Sequence, residues 1–174
     1  MNEKLIKFTL PSPDSDDTPT IAPSKARILV AEDDPVSRTL VATRLAKWGY
    51  DVVVTNDGAE AMAVLRGRDP PTLAILDWSM PGMDGLEICR RLREVEKRIY
   101  LILLIAHGSK ENMIEGLSAG ADDYLVKPFH AEELNARILV GLRVMTSQET
   151  LADRVTALEV AAAEIKALRF QIPL

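Results

Sequence analysis

The sequence of 174 residues predicts an α/β fold, a doubly wound parallel sheet of five strands with helices on both faces. Three observations lead to this prediction. Short apolar runs alternate with amphipathic stretches of helical length over about 120 residues. Four of the five runs are nearly continuously apolar, as expected of strands that are covered on both faces. Turn-forming residues separate the segments at Gly49, at the pair Pro70 and Pro71, and at Gly120.

The individual elements follow from these patterns in chain order. The predicted strands are short and rich in Ile, Leu and Val, and they cover residues 28–31, 52–55, 73–76, 100–105 and 124–126. The stretches that follow them carry apolar residues at the spacing of an amphipathic helix. These predicted helices cover residues 36–48, 59–66, 86–95, 112–119 and 131–145. Successive strands joined by helical crossovers are expected to lie parallel.

The two ends of the chain differ from this central region. Residues 1–24 hold four of the ten prolines together with several Ser and Asp residues, a composition that predicts a flexible leader. The leader has one apolar cluster, formed by Leu5, Ile6, Phe8 and Leu10. This cluster is interpreted either as part of a fraying terminus or as a short docking segment. We therefore divide the chain into a leader (1–24), a central domain (25–146) and a C-terminal segment (147–174).

The C-terminal segment has a second helical pattern. Its heptad-like positions alternate spacings of four and three residues, at Val144, Gln148, Leu151, Val155, Leu158, Ala162 and Ile165. This pattern predicts a coiled-coil type of helix that acts as a dimerisation or output linker and ends at Pro173. A surface helix folded back on the central domain is the alternative.

Composition excludes several classes of protein. The net charge of −5 gives no general reason to bind nucleic acid, and the single cysteine, Cys89, excludes an intramolecular disulfide. The longest apolar run, residues 100–106, is far shorter than the roughly 20 residues that span a bilayer. The first 24 residues also lack the apolar core of a secretory signal. These features predict a cytoplasmic protein that does not bind a membrane.

Charged residues follow three of the predicted strands. Glu32, Asp33 and Asp34 come directly after the first strand, Asp77 closes the third, and Lys127 closes the fifth. Because the carboxyl ends of parallel strands meet at one edge of a sheet, these groups are expected to converge. Carboxylates gathered in this way repel one another unless a cation joins them, and their hard oxygen atoms suit Mg²⁺.

Two hypotheses account for these acids. In the first, residues 32–34 only cap the first helix, which explains Asp34 well but leaves Asp77 unexplained. A magnesium site explains both, and it places Asp77 as a nucleophile toward phosphorus with Lys127 available to a phosphoryl oxygen.

Three motifs extend this interpretation. They are ILVAEDDP at residues 28–35, LDWSMPGMDG at 76–85 and GADDYLVKPF at 120–129. In this order and at this spacing, the chain resembles the receiver domain of two-component response regulators. The resemblance implies a flavodoxin-like sheet of order 2-1-3-4-5. It also implies a histidine kinase or a phosphotransfer protein as the phosphoryl donor.

The resemblance also assigns roles to individual residues. It implies that Asp77 is the phosphoacceptor and that Lys127 contacts the phosphoryl group. Glu32 and Asp33 would be the acidic pair that holds Mg²⁺, and the main-chain carbonyl of Ser79 would supply a further ligand.

The switch positions depart from the family pattern. The resemblance implies that Tyr124 reorients on activation and that a cis peptide bond precedes Pro128. The family places Thr or Ser at the end of the fourth strand, where this chain has Ile105, which cannot donate a hydrogen bond to a phosphoryl oxygen. Phosphorylation is expected to survive this change, whereas its coupling to the domain surface is expected to weaken.

Three functions are therefore weighed. The first is a non-enzymatic receiver that signals through its C-terminal helix, with a homodimer as partner and an output domain or downstream protein outside this chain. The second is a receiver-like dimerisation scaffold that no longer switches, because of Ile105. The third is a Mg²⁺-dependent phosphohydrolase with Asp77 as nucleophile, which would usually need an acid where Ser79 stands.

Overall fold

The computed structural model describes residues 26–95 and 98–169. Within them, five strands alternate with five helices, as the sequence predicts. The strands are Arg27–Ala31 (β1), Asp51–Thr55 (β2), Leu73–Asp77 (β3), Tyr100–Ile105 (β4) and Asp123–Val126 (β5). The helices are Pro35–Lys47 (α1), Gly58–Leu65 (α2), Gly85–Glu94 (α3), Lys110–Ser118 (α4) and Ala131–Arg169 (α5). The predicted leader and the predicted helix end at Pro173 lie outside the described residues.

The sheet is parallel throughout, and its strand order is β2-β1-β3-β4-β5. This confirms the predicted fold class and order. The order reverses between β1 and β3, where ligands bind in folds of this kind. In register, Val30 lies beside Ile75, and Ile75 lies beside Ile102. The carboxyl ends of β1 and β3 are therefore neighbours at one edge.

The alternation of side chains along the strands builds two apolar cores, one on each face of the sheet. Leu29 and Leu76 pack on the face covered by α2 and α3, whereas Val30 and Ile75 pack on the face covered by α1 and α5. Every residue of β3 is buried, which explains why this strand has a continuous apolar run ending in one acid. Truncating such a core residue to Ala costs about 2–5 kcal/mol of stability.

Short acidic caps fix the start of three helices near the edge that holds Asp77. The Asp34 carboxylate accepts a hydrogen bond from the Ser37 amide at 2.6 Å. Asp34 is therefore the N-cap of α1, as the helix-cap hypothesis predicts. Asp57 and Asp84 cap α2 and α3 in the same way. These caps hold the loops that follow β1, β2 and β3 in fixed paths.

The last helix, α5, is one uninterrupted helix of 39 residues. At 1.5 Å per residue it is about 58 Å long. The chain does not turn between residues 145 and 169, so the alternative of a helix folded back on the domain is wrong. Beyond Met145 the seam positions are largely exposed, with Leu151 at 63%, Leu158 at 69% and Ile165 at 60%. None of the described helices combines the length and the apolar character needed to cross a membrane.

Candidate functional site

Charged side chains from three strand ends meet at the carboxyl edge of the sheet. Glu32 directly follows β1, Asp77 is the last residue of β3, and Lys127 directly follows β5. The Lys127 ammonium donates hydrogen bonds to Glu32 Oε2 at 2.6 Å and to Asp77 Oδ1 at 2.7 Å. One carboxylate oxygen from each of Glu32, Asp33 and Asp77 lies within 4.8 Å of the other two. The structure thus brings together four of the five charged groups expected to converge, whereas Asp34 instead caps α1.

The exposure of these groups is unequal. Glu32 is 1% exposed and Asp77 is 7% exposed, whereas Asp33 faces solvent. Lys127 is half-buried between the two buried acids. Three carboxylates face one ammonium, so the fully ionised cluster has a net charge of −2. A solvent-open cluster of this charge favours a divalent cation or a cationic partner.

The first turn of α1 holds the acidic pair in place. Ser37 Oγ donates to Glu32 Oε2 at 3.0 Å, and the Asp34 amide donates to Glu32 Oε1 at 3.3 Å. The Arg38 guanidinium donates to the main-chain carbonyls of Glu32 at 2.7 Å and of Asp33 at 3.0 Å. Both oxygens of the Glu32 carboxylate are therefore engaged, and the backbone that carries Asp33 is fixed.

Sequence reasoning missed Ser37 and Arg38. Their signal is their place in the first turn of a helix that begins directly after the acids, from which a polar side chain can reach back to the strand end. Nothing in the residue types alone distinguishes them from other polar residues of α1.

Burial and hydrogen bonding shift the ionisation of the two central groups. Burial raises the pKa of Asp77 above its usual range, and the hydrogen bond from Lys127 only partly offsets this, while Glu32 and Asp33 raise the pKa further. For Lys127, burial opposes the charged form, but hydrogen bonds to Asp77 and Glu32 outweigh it and raise the pKa. Lys127 is thus held as an ammonium, and a second cation would favour the ionised form of Asp77.

The loop after β3 brings Ser79 to the same edge. Ser79 is exposed, two residues beyond Asp77, and the loop closes where the Gly85 amide donates to the Trp78 carbonyl at 3.0 Å. Gly82 has a φ of 80°, a conformation that glycine adopts without strain. At Gly85, an added Cβ would lie 2.5 Å from the Asp77 carbonyl oxygen, so the start of α3 packs directly against the end of β3.

The family model of the response regulator receiver domain matches residues 28–139. This chain belongs to the receiver domain family. The match covers all five strands except one residue of β1, and it extends into α5.

Named relatives agree with this assignment. The receiver domain is 45% identical over 117 residues to the response regulator MprA of Mycobacterium leprae, covering 67% of this chain and 51% of that protein. It is 44% identical over 119 residues to the probable transcriptional regulator ycf27 of Porphyridium aerugineum, covering 68% and 49%. Among solved structures, the Francisella response regulator 1452 receiver domain matches with a TM-score of 0.64 at 36% identity. That match covers 68% of this chain and 97% of the other.

The chain spans about half the length of the curated relatives it matches. The shared part is the receiver domain. The remaining half of those relatives has no counterpart in the matched residues.

The two residues that the resemblance implies as switch positions, Ile105 and Tyr124, lie on the neighbouring strands β4 and β5. Ile105 is the last residue of β4, is 2% exposed, and belongs to the core on the α2 and α3 face. Tyr124 is half-buried against the same core, and the Arg137 guanidinium lies 5.9 Å from the centre of its ring. Arg137 also donates to Asp123 at 2.7 Å. The peptide bond between Lys127 and Pro128 is cis, as the resemblance implies.

Proposed function

We propose that this receiver domain accepts a phosphoryl group on Asp77 from a histidine kinase or a phosphotransfer protein in the cytoplasm. The observation that carries the proposal is the position of the Asp77 carboxylate. It is held at the end of β3 by Lys127, beside buried Glu32 and solvent-facing Asp33. An acid so placed can attack phosphorus from the protein side while the donor approaches from solvent.

The phosphoryl transfer requires that an Asp77 oxygen is aligned with phosphorus and that the charge of the phosphoryl oxygens is balanced. An Asp77 oxygen forms the new bond to phosphorus, and the bond from phosphorus to the donor nitrogen breaks, with its electrons staying on the donor imidazole. Lys127 is already an ammonium and needs no proton change to pair with a phosphoryl oxygen. As that pairing forms, the hydrogen bond from Lys127 to Asp77 is replaced.

The donor set fits Mg²⁺. Among the described residues, no hydrogen bond or ion pair engages the Asp33 carboxylate, and Asp77 has only one oxygen bonded to Lys127. We therefore assign Asp33 and Asp77 as the side-chain ligands, with the Ser79 carbonyl completing the protein's share. Glu32, whose oxygens are both engaged, contributes charge and positions Lys127. When bound, Mg²⁺ neutralises charge between the carboxylates and the incoming phosphoryl oxygens.

The output half of the proposal concerns α5. We propose that residues 25–146 form the receiver unit and that 147–174 form a linker, through which two copies pair along the exposed seam of α5. An output domain or downstream protein would then read the state of the pair. Sedimentation of the full chain with and without beryllofluoride tests this, and an identical mass and shape in both conditions would contradict it.

A specific observation also favours a receiver whose output does not switch. Ile105 fills its site from within the core and provides no hydroxyl for a phosphoryl oxygen. In this second candidate Asp77 is still phosphorylated, and α5 pairs equally in both states. The phosphohydrolase alternative has no such support, because Ser79 offers no carboxyl group as general acid.

Incubation with acetyl phosphate and Mg²⁺, followed by intact mass measurement, tests the proposal. Wild type is expected to gain the mass of one phosphoryl group, and Asp77→Asn is expected to gain none. Asp153→Asn, which makes the same change at an exposed position of α5, is the matched control and should behave as wild type. An equal gain in wild type and Asp77→Asn would refute Asp77 as the acceptor.

A further inference from the structure

A cavity of about 990 Å³ lies at the edge of the sheet opposite Asp77. Its floor is formed where β1 and β2 begin, at Ala26, Arg27, Tyr50 and Asp51, and its wall is the middle of α5. The volume is at the upper end of the range for ligand-binding cavities. None of the groups that contact or surround Asp77 lines it, so it is separate from the proposed phosphorylation site.

Helix α5 contributes ten residues to the cavity lining, of which six are polar or charged and four are apolar. The apolar ones are Leu139, Leu142, Met145 and Leu151. Both Leu139 and Leu151 remain exposed to solvent while lining the cavity, at 46% and 63% respectively. Exposed leucines that line a concavity together favour an apolar occupant.

The chain itself enters at the mouth of the cavity. Ala26, the first described residue, is one of the lining residues, and 25 residues precede it. Within them, the apolar cluster Leu5, Ile6, Phe8 and Leu10 is the feature that the proposed function leaves without a role. The 16 residue steps from Leu10 to Ala26 can span at most about 58 Å, which is ample to return the cluster to the cavity.

Six charged side chains line the cavity, three arginines and the acids Asp51, Asp69 and Glu149. Because Arg27 pairs with Asp51 and Asp69, the α5 wall keeps a net charge of +1, opposite in sign to the leader. Arg143 and Arg154 both line the cavity from α5, and their spacing of about three turns places them on the same side of the helix. Neither arginine forms an ion pair with an acid of residues 26–95 or 98–167 within 4.0 Å. The leader carries Asp14, Asp16 and Asp17 between its apolar cluster and Ala26. A leader seated in the cavity would bring these acids past the arginines.

We propose that residues 5–10 pack into this cavity of the same chain, with the acids of residues 14–17 beside Arg143 and Arg154. The occupant is intramolecular because a tethered segment has an effective concentration in the millimolar range, which an unconnected second copy does not reach. The leader would then link β1 and β2 to the middle of α5, close to where the exposed seam begins. This inference is independent of phosphorylation at Asp77.

A spin label placed next to the apolar cluster tests the proposal in the full chain. Ser12→Cys introduces the attachment site, and the native Cys89 is buried and does not compete for the label. Amide signals of Thr72, Thr146 and Thr150, which line the cavity, are expected to broaden. Signals of Ser109 and Lys110, which lie beyond the opposite end of β4, are expected to stay sharp.

Matched variants test whether the broadening depends on apolar contact between the leader and the cavity. Phe8→Asp in the leader and Leu151→Asp in the cavity are each expected to abolish the selective broadening. Thr18→Asp adds the same charge without removing an apolar side chain, and Leu158→Asp changes an exposed leucine outside the cavity lining. Both controls should retain the broadening. Because Leu151 is already 63% exposed, its replacement leaves the core intact, and a thermal melt checks this.

Three results with spin label and isotope label on the same chain would overturn the proposal. They are broadening spread evenly over the domain, no broadening at the cavity, or selective broadening that survives in Phe8→Asp. A mixed sample, with the spin label on one copy and the isotope label on another, distinguishes the leader of the same chain from the leader of a second copy. Cavity broadening in that mixture would show that a second copy fills the cavity, and it would also overturn the proposal.

Discussion

Lys127 Nζ lies 2.7 Å from Asp77 Oδ1 and joins the ends of β5 and β3 across β4, which separates the two strands in the sheet. The same ammonium lies 2.6 Å from Glu32 Oε2 at the end of β1. One cation thus binds acids from both sides of the point where the strand order reverses. A phosphoryl group on Asp77 has to take the place of part of this network.

The position of Lys127 predicts opposite effects on metal binding and on phosphorylation. Lys127→Ala removes a positive charge that competes for the carboxylates, so Mg²⁺ should bind about tenfold more tightly. The same change removes a donor for the phosphoryl oxygens, so the rate of phosphorylation by acetyl phosphate should fall about 100-fold. Titration calorimetry and intact mass measure the two effects. Lys47→Ala, at the end of α1, removes one charge away from the site and should change neither.

The raised pKa of Asp77 predicts how stability depends on pH without metal. An acid whose pKa is higher when folded than when unfolded binds its proton more tightly in the folded state. Its stabilising effect is full below the unfolded pKa and is lost as pH rises through the folded pKa. In EDTA, the free energy of unfolding of wild type should therefore fall relative to Asp77→Asn as pH rises above the ordinary pKa of an aspartate, about 4.

Denaturant titrations of both proteins across this range give the comparison. A difference that grows in favour of wild type as pH rises would contradict the raised pKa. Added Mg²⁺ should stabilise wild type more than Asp77→Asn, because the ion binds only the folded arrangement of acids.

The contact between Gly85 and Asp77 predicts a stability cost. In Gly85→Ala, the new Cβ would meet the Asp77 carbonyl oxygen at 2.5 Å and Leu103 Cδ2 at 2.9 Å, so backbone has to move. The free energy of unfolding should fall by about 1–3 kcal/mol. Gly116→Ala is the control, since its Cβ would meet only side chains, at 3.1 Å or more, and Ala favours the helix by about 1 kcal/mol. An equal cost at both positions would argue against the close approach of β3 and α3.

Cys89 is predicted to be inert in the folded protein. It is buried in α3, and burial raises the pKa of its thiol to about 12. Near neutral pH, a thiol reagent should label it only at the rate at which the domain unfolds, and labelling should become rapid in denaturant. Fast labelling of the native protein, measured by mass, would show that α3 is less well packed than the structure describes.

Much of this fold follows from local patterns that a sequence displays directly. Strand and helix positions came within two residues of the structure, apart from the end of α5, because apolar periodicity and turn residues fix them. The sequence also predicts that Glu32, Asp77 and Lys127 lie close together, since each lies at the end of a parallel strand. The direction of the chain after Met145 could not be predicted, because a helical pattern is the same whether α5 continues or a second helix folds back on the domain.

The sequence also could not predict side-chain contacts that depend on how a helix packs against a strand. That Ser37 and Asp34 engage both oxygens of Glu32 depends on the angle between α1 and β1, which no residue pattern records. The contact of Arg137 with the Tyr124 ring likewise depends on how α5 lies against β5. Such contacts decide which acids are free for a metal, and they need the three-dimensional arrangement.

The location of the phosphoryl group on the wild-type protein tests the proposed role of Asp77 most directly. After acetyl phosphate and Mg²⁺, borohydride reduction converts an acyl phosphate into an alcohol, and peptide mass mapping finds the altered residue. We expect a single altered residue, Asp77. Modification at another acid of the cluster, or a phosphoryl group that resists borohydride and maps to a serine or histidine, would contradict it.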